Sequence, residues 1–286
     1  MMFGNIKSYI RLLKDFNYAG QENSRHPERF NTVRIYCMFI GYPRSSHSLI
    51  GSLLDAHPDA IIAHEQDVLK YIKYRFKRNQ IFQLLVKNSQ DFTLDGRTWT
   101  GYSYAVSDQY QGTYRTLKVI GDKKGANSTR RISRNPKMLQ RLRQTIGLPI
   151  HMIHVLRNPY DNISTMAFRN NGSKTEKVTE EVLRGEMDNY FNLVRTVSDV
   201  RKSLGDECTI DIRIEDFMSD PRGNLEKICF FLELDPEKKY LDDCTAIVFK
   251  KAQKTRKDFP WSDRLIAEVK ARMDKYEFMT GYGFDD

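Results

Sequence analysis

The 286-residue sequence has no apolar run approaching the ~20 residues that cross a bilayer, so it predicts no membrane-spanning helix and no membrane partner. Residues 1–20 show neither a compact apolar segment nor a small-residue cleavage site of a secretory leader. Cysteine is sparse. Cys37, Cys208, Cys229 and Cys244 stand far apart with no Cys-x-x-Cys pair, which predicts reduced thiols in a cytoplasmic protein. No strand–helix junction ends in Gly-Lys-Ser/Thr, so a Walker A loop is excluded, and the Gly-rich dinucleotide fingerprint is missing too. There is no arginine-rich arm or nucleic-acid recognition motif, and a nucleic-acid partner is not expected. Repeats, low-complexity tracts and linkers are absent as well. The chain reads as one domain, 1–286, with 1–31 a peripheral N-terminal segment.

What is present is an ordinary soluble composition, 40% hydrophobic and 29% charged, with a net charge of +9. The surplus favours anionic ligands. The basic residues are interleaved with acids along the whole chain, so a solvated surface accounts for most of them.

One stretch organises the rest. The apolar run Ile35 to Ile40 ends at Gly41; Tyr42, Pro43, Arg44, Ser45, Ser46, His47 and Ser48 follow, and then Leu49, Ile50, Leu53 and Leu54 mark a helix face. A buried strand, a tight polar loop and a helix N-terminus make a place that attracts anions, because unpaired N–H groups and the helix dipole converge there. Arg44 adds a forked cation suited to phosphate or sulfate oxygens. The serines add hydroxyl donors. An ordinary turn with a solvated Arg44 would look the same on these residues alone.

Further along, residues 66–90 read as helix in two pieces. Residues 92–115, rich in Trp99, Tyr102, Tyr104, Tyr110 and Tyr114 with interspersed glycines, read as a hairpin excursion. Its aromatics suit either plain β packing or one wall of an acceptor pocket. A strand from Thr116 to Ile120 precedes Gly121-Asp122-Lys123-Lys124-Gly125. Asn135 and Pro136 open a helix that stops at Gly147. His151 to Leu156 is a second buried strand, ending at Arg157-Asn158-Pro159. Residues 180–203 form a long helix, Thr209 to Ile214 a strand, and Asp220-Pro221 and Ser262 open further helices. Residues 250–260 are basic and irregular. Strands alternating with helices predict an α/β fold with a P-loop-like parallel sheet flanked by helices on both faces. Ligands in such sheets lie beyond the carboxyl ends of the strands, where the charged loops after Ile40, Ile120 and Leu156 can converge.

Several of these segments resemble the sulfotransferases that use 3′-phosphoadenosine-5′-phosphosulfate (PAPS). Gly41-Tyr-Pro-Arg-Ser, Leu53-Leu-Asp-Ala-His-Pro58 and His64-Glu65 are similar to the 5′-phosphosulfate region of bacterial small-molecule enzymes related to the tyrosylprotein branch. The chain departs from that pattern at Ser46-His47-Ser48, where Gly-Thr-Thr is usual. Arg157 with Thr165 eight residues on, and Ser164 beside it, resembles the 3′-phosphate segment. Ile212-Arg-Ile-Glu-Asp-Phe217 and Phe230-Phe-Leu-Glu-Leu234 match family positions. Lys254-Thr255-Arg256 resembles the basic loop that closes over the nucleotide.

The resemblance implies PAPS as sulfuryl donor, 3′,5′-ADP as product, no metal, and a small-molecule acceptor offering a hydroxyl or an amine. Residues 42–48, Arg157, Ser164, Thr165 and 254–256 would hold the donor. Arg44 and Lys123 would stabilise charge at the transferred group. Glu65 matches the branch's catalytic glutamate and leads as general base, with His47 and His64 as rivals. A P-loop-type nucleotide or small-molecule kinase is the alternative, and a non-catalytic polyanion binder rests on charge alone. The oligomeric state is open; a homo-oligomer is compatible with it. The overall pattern is similar to that of bacterial natural-product sulfotransferases, and the sequence does not name the acceptor.

Overall fold

The computed structural model describes residues 2–249 and 253–286, with side chains from residue 9 onward. Five parallel strands form the central sheet: β1 (Ile35–Gly41), β2 (Ala60–His64), β5 (Val119–Lys123), β6 (Ile150–Leu156) and β7 (Thr209–Arg213), in the order β2-β5-β1-β6-β7. Two short antiparallel strands, β3 (Thr98–Trp99) and β4 (Tyr102–Ser103), pair with each other between β2 and β5 in chain order. The helices are α1 (Met2–Arg25), α2 (His47–Asp55), α3 (Val68–Lys73), α4 (Arg78–Leu94), α5 (Ala126–Arg134), α6 (Lys137–Ile146), α7 (Pro159–Asn170), α8 (Glu180–Leu204), α9 (Ile214–Ser219), α10 (Pro221–Phe231), α11 (Lys238–Ala246) and α12 (Asp263–Met273).

Alternation along β1 explains the layers. Tyr36, Met38 and Ile40 pack into one core with residues of α4, α6 and α8. Ile35, Cys37 and Phe39 pack into the other, with α2, α10 and α11. A strand buried on both faces must be apolar throughout, and every residue of β1 is buried. Cys37, Cys229 and Cys244 are buried free thiols inside this packing.

The central position of β1 sets the site. The chain leaves β1 for β2 on one side and later places β6 on the other, so the crevice at the end of β1 is the point where the winding reverses. The loops after β1, β2, β5 and β6 all leave the same edge.

One strand boundary differs from the sequence reading. The third central strand starts at Val119 and runs to Lys123 instead of stopping at Ile120, because Gly121 and Asp122 pair with Cys37 and Met38, and Ala63 and His64 pair with Asp122 and Lys123. Helix α5 follows immediately and was not expected. The N-terminal helix is long and reaches Arg25, packing Leu12 and Ala19 inward against α4. Part of the basic 250–260 segment, residues 250–252, lies outside the described residues.

Candidate active site

The loop after β1 holds two non-glycine residues in the left-handed region, Arg44 at φ 67° and Ser46 at φ 63°. Asn162 of α7 fastens it, donating to the Pro43 carbonyl and lying 3.2 Å from Ser45 Oγ. Ser46 caps α2 without a side-chain bond, and the first turn of α2 carries no acidic residue. From Arg44 to Ser48 the backbone N–H groups find no acceptor among the described residues. Bare N–H groups at a helix start, with no carboxylate to neutralise them, suit an anion. Arg44 is exposed at this mouth. Burial, and then the charge of Arg169 on α7, lower its proton affinity, so the two guanidinium groups address the same region.

Not every loop residue faces the opening. Tyr42 is fully buried, its hydroxyl 3.0 Å from His154 Nε2 and its ring against Tyr190. It roots the loop in the core. His47 turns inward too: Nε2 lies 3.2 Å from the Ile40 carbonyl, and the ring packs against Phe39 and Gly125. Burial pushes its pKa down to about 4. Gly41, at φ 134°, lets the chain pass: a Cβ there would stand 3.0 Å from His47 Nε2 and 3.1 Å from the Val155 carbonyl.

Lys123, the last residue of β5, is buried. Its Nζ donates to Glu65 Oε1 at 2.7 Å and Ser48 Oγ at 3.0 Å. Burial pulls the amine's pKa down, against the opposing charges of Glu65 and Asp122. Lys124 Nζ lies 2.6 Å from Glu65 Oε2. Burial alone would raise the Glu65 carboxyl, but the Lys123 charge and the two lysine hydrogen bonds outweigh it and hold the group below the usual range. Glu65 is left-handed at φ 61°, just past the end of β2, and its N–H donates to the Lys123 carbonyl. His64, one residue earlier, is buried on the ring of Phe92 with Trp99 at its edge. Burial drives its pKa to about 3, and its Nε2 has no partner.

Asp122 was not singled out in the sequence. Its carboxylate accepts from the N–H groups of Gln66 and Val68 at 3.0 and 2.9 Å, and so pins the turn that presents Glu65. Asp67 in the same turn is held by Arg131 of α5, 2.6 and 2.5 Å apart. Burial pushes the Asp122 pKa up to about 7. The hairpin closes one side: Tyr102 packs on Phe249 at 5.3 Å, and burial raises the pKa of the Tyr104 hydroxyl.

The second cluster lies at the end of β6. Arg157 is buried, which lowers its proton affinity. It donates to Thr165 Oγ1 at 3.1 Å, to the Arg44 carbonyl at 3.4 Å and to the Gln253 carbonyl at 2.5 Å. Thr255 Oγ1 is 3.0 Å from Thr165 Oγ1, and both hydroxyls lean on the Asp161 carbonyl. Ser164 faces elsewhere and accepts from Trp261 Nε1 at 3.0 Å. Arg256 is buried, bonded to Asp161 Oδ2 at 2.5 Å and to the carbonyls of Phe284 and Asp286. Its guanidinium therefore ties the C-terminus to α7, while Lys254 is exposed. The structure thus gathers Arg44, Ser45, Ser46, Ser48, Lys123, Glu65, Arg157, Thr165 and Thr255 on one sheet edge, and turns Tyr42, His47, His64, Ser164 and Arg256 into the packing around it. Asn162 and Asp161 could have been suspected from the Arg-Asn-Pro-x-Asp-Asn spacing. Asp122 and Arg169 carry no sequence signal of their own.

Among curated proteins none matches the chain. The fold resembles the sulfotransferase domain of the Synechococcus PCC 7002 olefin synthase, at 16% identity and a TM-score of 0.54, over 86% of this chain and 96% of that one. It also resembles sulfotransferase STF9 from Mycobacterium avium, at 15% identity and a TM-score of 0.52, over 93% of this chain and 85% of that one. The profile of the sulfotransferase family matches residues 38–238, and the chain belongs to that family.

Proposed function

We propose that the protein is a PAPS-dependent sulfotransferase acting on a hydroxyl or amine of a small, natural-product-like acceptor. The observation that carries this reading is the pairing of two cationic clusters on one edge: open N–H groups with Arg44 at the end of β1, and Arg157 with Thr165 and Thr255 at the end of β6. A donor with phosphates at both ends of its nucleoside needs two such clusters. The buried, desolvated Arg157 fits a group that brings negative charge with it. Arg157, Thr165 and Thr255 would hold the 3′-phosphate, and Arg44, Ser45, Ser46 and Ser48 the 5′ end. Bound there, the donor supplies the sulfuryl group.

The chain's own work is positioning and charge. Lys123, buried at the end of β5, would offer its cation to the bridging oxygen. Glu65 takes the acceptor's proton: its carboxylate lies beside Lys123 at the mouth and is partly exposed, whereas His47 hydrogen-bonds the Ile40 carbonyl and His64 is stacked under Phe92. The lysines that pair with Glu65 are the groups an incoming anion would attract, so donor binding weakens their hold and raises the basicity of the carboxylate. The wall of Trp99, Tyr102, Tyr104 and Phe249 borders the acceptor side.

The test is a melting-temperature screen with 3′,5′-ADP, ATP and heparin, then mass spectrometry of a metabolite mixture incubated with PAPS. Stabilisation by 3′,5′-ADP and a sulfated product are expected. Stabilisation by ATP without 3′,5′-ADP would instead favour the kinase alternative.

A further inference from the structure

Helix α1 buries Leu12 and Ala19 against the body of the protein and leaves another side bare: Tyr9, Ile10, Leu13 and Phe16 are 60%, 48%, 53% and 47% exposed. With 3.6 residues per turn, Tyr9, Leu13 and Phe16 fall on one narrow face, with Ile10 on its flank. Isolated exposed apolar residues need no explanation; a row of them along one helix does.

Cations border the row. On one side Phe16 and Gly20 share a cleft of about 640 Å³ with Arg75, Lys77 and Arg78, and no carboxylate lines it. Helix α4 starts in that cleft without an acidic residue in its first turn, so its dipole adds to the positive potential. On the other side of the row is Lys14. The nearby carboxylates are engaged: Asp15 accepts from the Tyr71 hydroxyl, Asp67 pairs with Arg131, and Glu22 with Arg25. Lys14, Arg75, Lys77 and Arg78 have no carboxylate partner among the described residues.

We propose that this face docks the protein on an anionic lipid bilayer, with the apolar row at the acyl boundary and the cations among headgroup phosphates. Charge decides against a second copy of the chain, because a two-fold contact through this face would oppose the same cations. No helix among the described residues is long and apolar enough to cross a bilayer, and a helix lying in the interface need not be. The sequence expectation of no membrane partner came from the absence of a spanning run, which is silent about a row three or four side chains long.

The experiment is sedimentation of the full chain with vesicles of phosphatidylcholine, with and without phosphatidylglycerol. Binding should require phosphatidylglycerol and fall with added salt. The double variant Tyr9→Glu/Leu13→Glu and, separately, Arg75→Glu/Arg78→Glu should each weaken it at least about tenfold, with unchanged circular dichroism and melting temperature. Equal sedimentation with both vesicle types, or wild-type binding by both double variants, overturns the proposal. So does a dimer in light scattering that Tyr9→Glu/Leu13→Glu abolishes while vesicles bind nothing, since the row would then join two copies.

Discussion

At the scale of single residues the structure separates groups that the sequence could only pair as rivals. Glu65 and His47 both stand near the start of α2, but the carboxylate meets Lys123 at the mouth and the imidazole faces the Ile40 carbonyl. With burial holding its pKa near 4, His47 is neutral and enclosed at neutral pH. Glu65→Gln should bind 3′,5′-ADP as the wild type does and lose at least about 10²-fold in kcat, the usual worth of a positioned base. His47→Ala should keep most of its turnover and lose stability instead, since it empties a packed site. A dead His47→Ala beside a near-normal Glu65→Gln would exchange the two roles. Arg157 allows a second distinction. If it holds the 3′-phosphate, Arg157→Ala weakens 3′,5′-ADP by about 1.5–3 kcal/mol, as for hydrogen bonds to charged groups. Adenosine 5′-phosphosulfate, which lacks that phosphate, should be far less affected in calorimetry. Equal losses for both ligands would remove the assignment.

Among the elements, α2 and β5 fit each other through one glycine. Gly51 lies on α2 where a Cβ would stand 2.6 Å from Lys123 Cγ and 2.9 Å from its Cβ. Those atoms are the root of the lysine, not its flexible tip, so the lysine must shift as a whole. Gly51→Ala would gain about 1 kcal/mol of helix propensity in isolation. Here we expect the opposite: a lower melting temperature, and a drop in kcat as the Lys123–Glu65 pair is displaced. Full activity in this variant would mean that the packing of α2 does not position Lys123. The same pair of elements shows what was legible in the sequence. β1 and the start of α2 were plain, because a strand buried on both faces is written as an apolar run and its loop as a cluster of Pro, Arg and Ser. The end of β5 was hidden, because Gly121, Asp122 and Lys123 look like a turn and only pairing with β1 and β2 makes them a strand. Helix α5 was hidden because Ile132 is the one large apolar residue in Ala126–Arg134, leaving periodicity nothing to report. In the site, the strand–loop–helix pattern brought forward Arg44, and the resemblance to the family's motifs brought forward Lys123, Arg157 and Thr165. They could not show which of two neighbours faces inward, so Ser164 and Thr165, or His64 and Glu65, were told apart only by the direction of the strand or helix that carries them.

Across the whole molecule the buried histidines set how stability responds to acid. Burial lowers the pKa of His47 to about 4 and of His64 to about 3, and it lowers His57 and His154 against the hydrogen bonds they make to the Asp235 carbonyl and the Asp211 carboxylate. In the unfolded chain each titrates near 6.5. A group whose folded pKa is depressed gives its full stabilisation above the unfolded pKa and loses it as pH falls toward the folded one. Below about pH 6.5 the unfolded state therefore takes up protons that the native state refuses. Two buried carboxyls act in the opposite sense. Burial raises Asp122 to about 7, so between about pH 4 and 7 it holds in the native state a proton that the unfolded state has released, and burial raises Asp55 too, despite its pairing with Arg97. Four histidines against two carboxyls leave a net uptake of protons on unfolding near pH 5, so stability falls as the pH falls. Urea unfolding followed by circular dichroism, from about pH 7.5 down to about pH 5, should show stability falling once pH passes about 6.5. Asp122→Asn should steepen the fall, because it removes one of the two opposing groups. Stability that holds level or rises toward pH 5 in the wild type would mean that the histidines are charged in the fold, and with that the argument against His47 as the base would lose its electrostatic support.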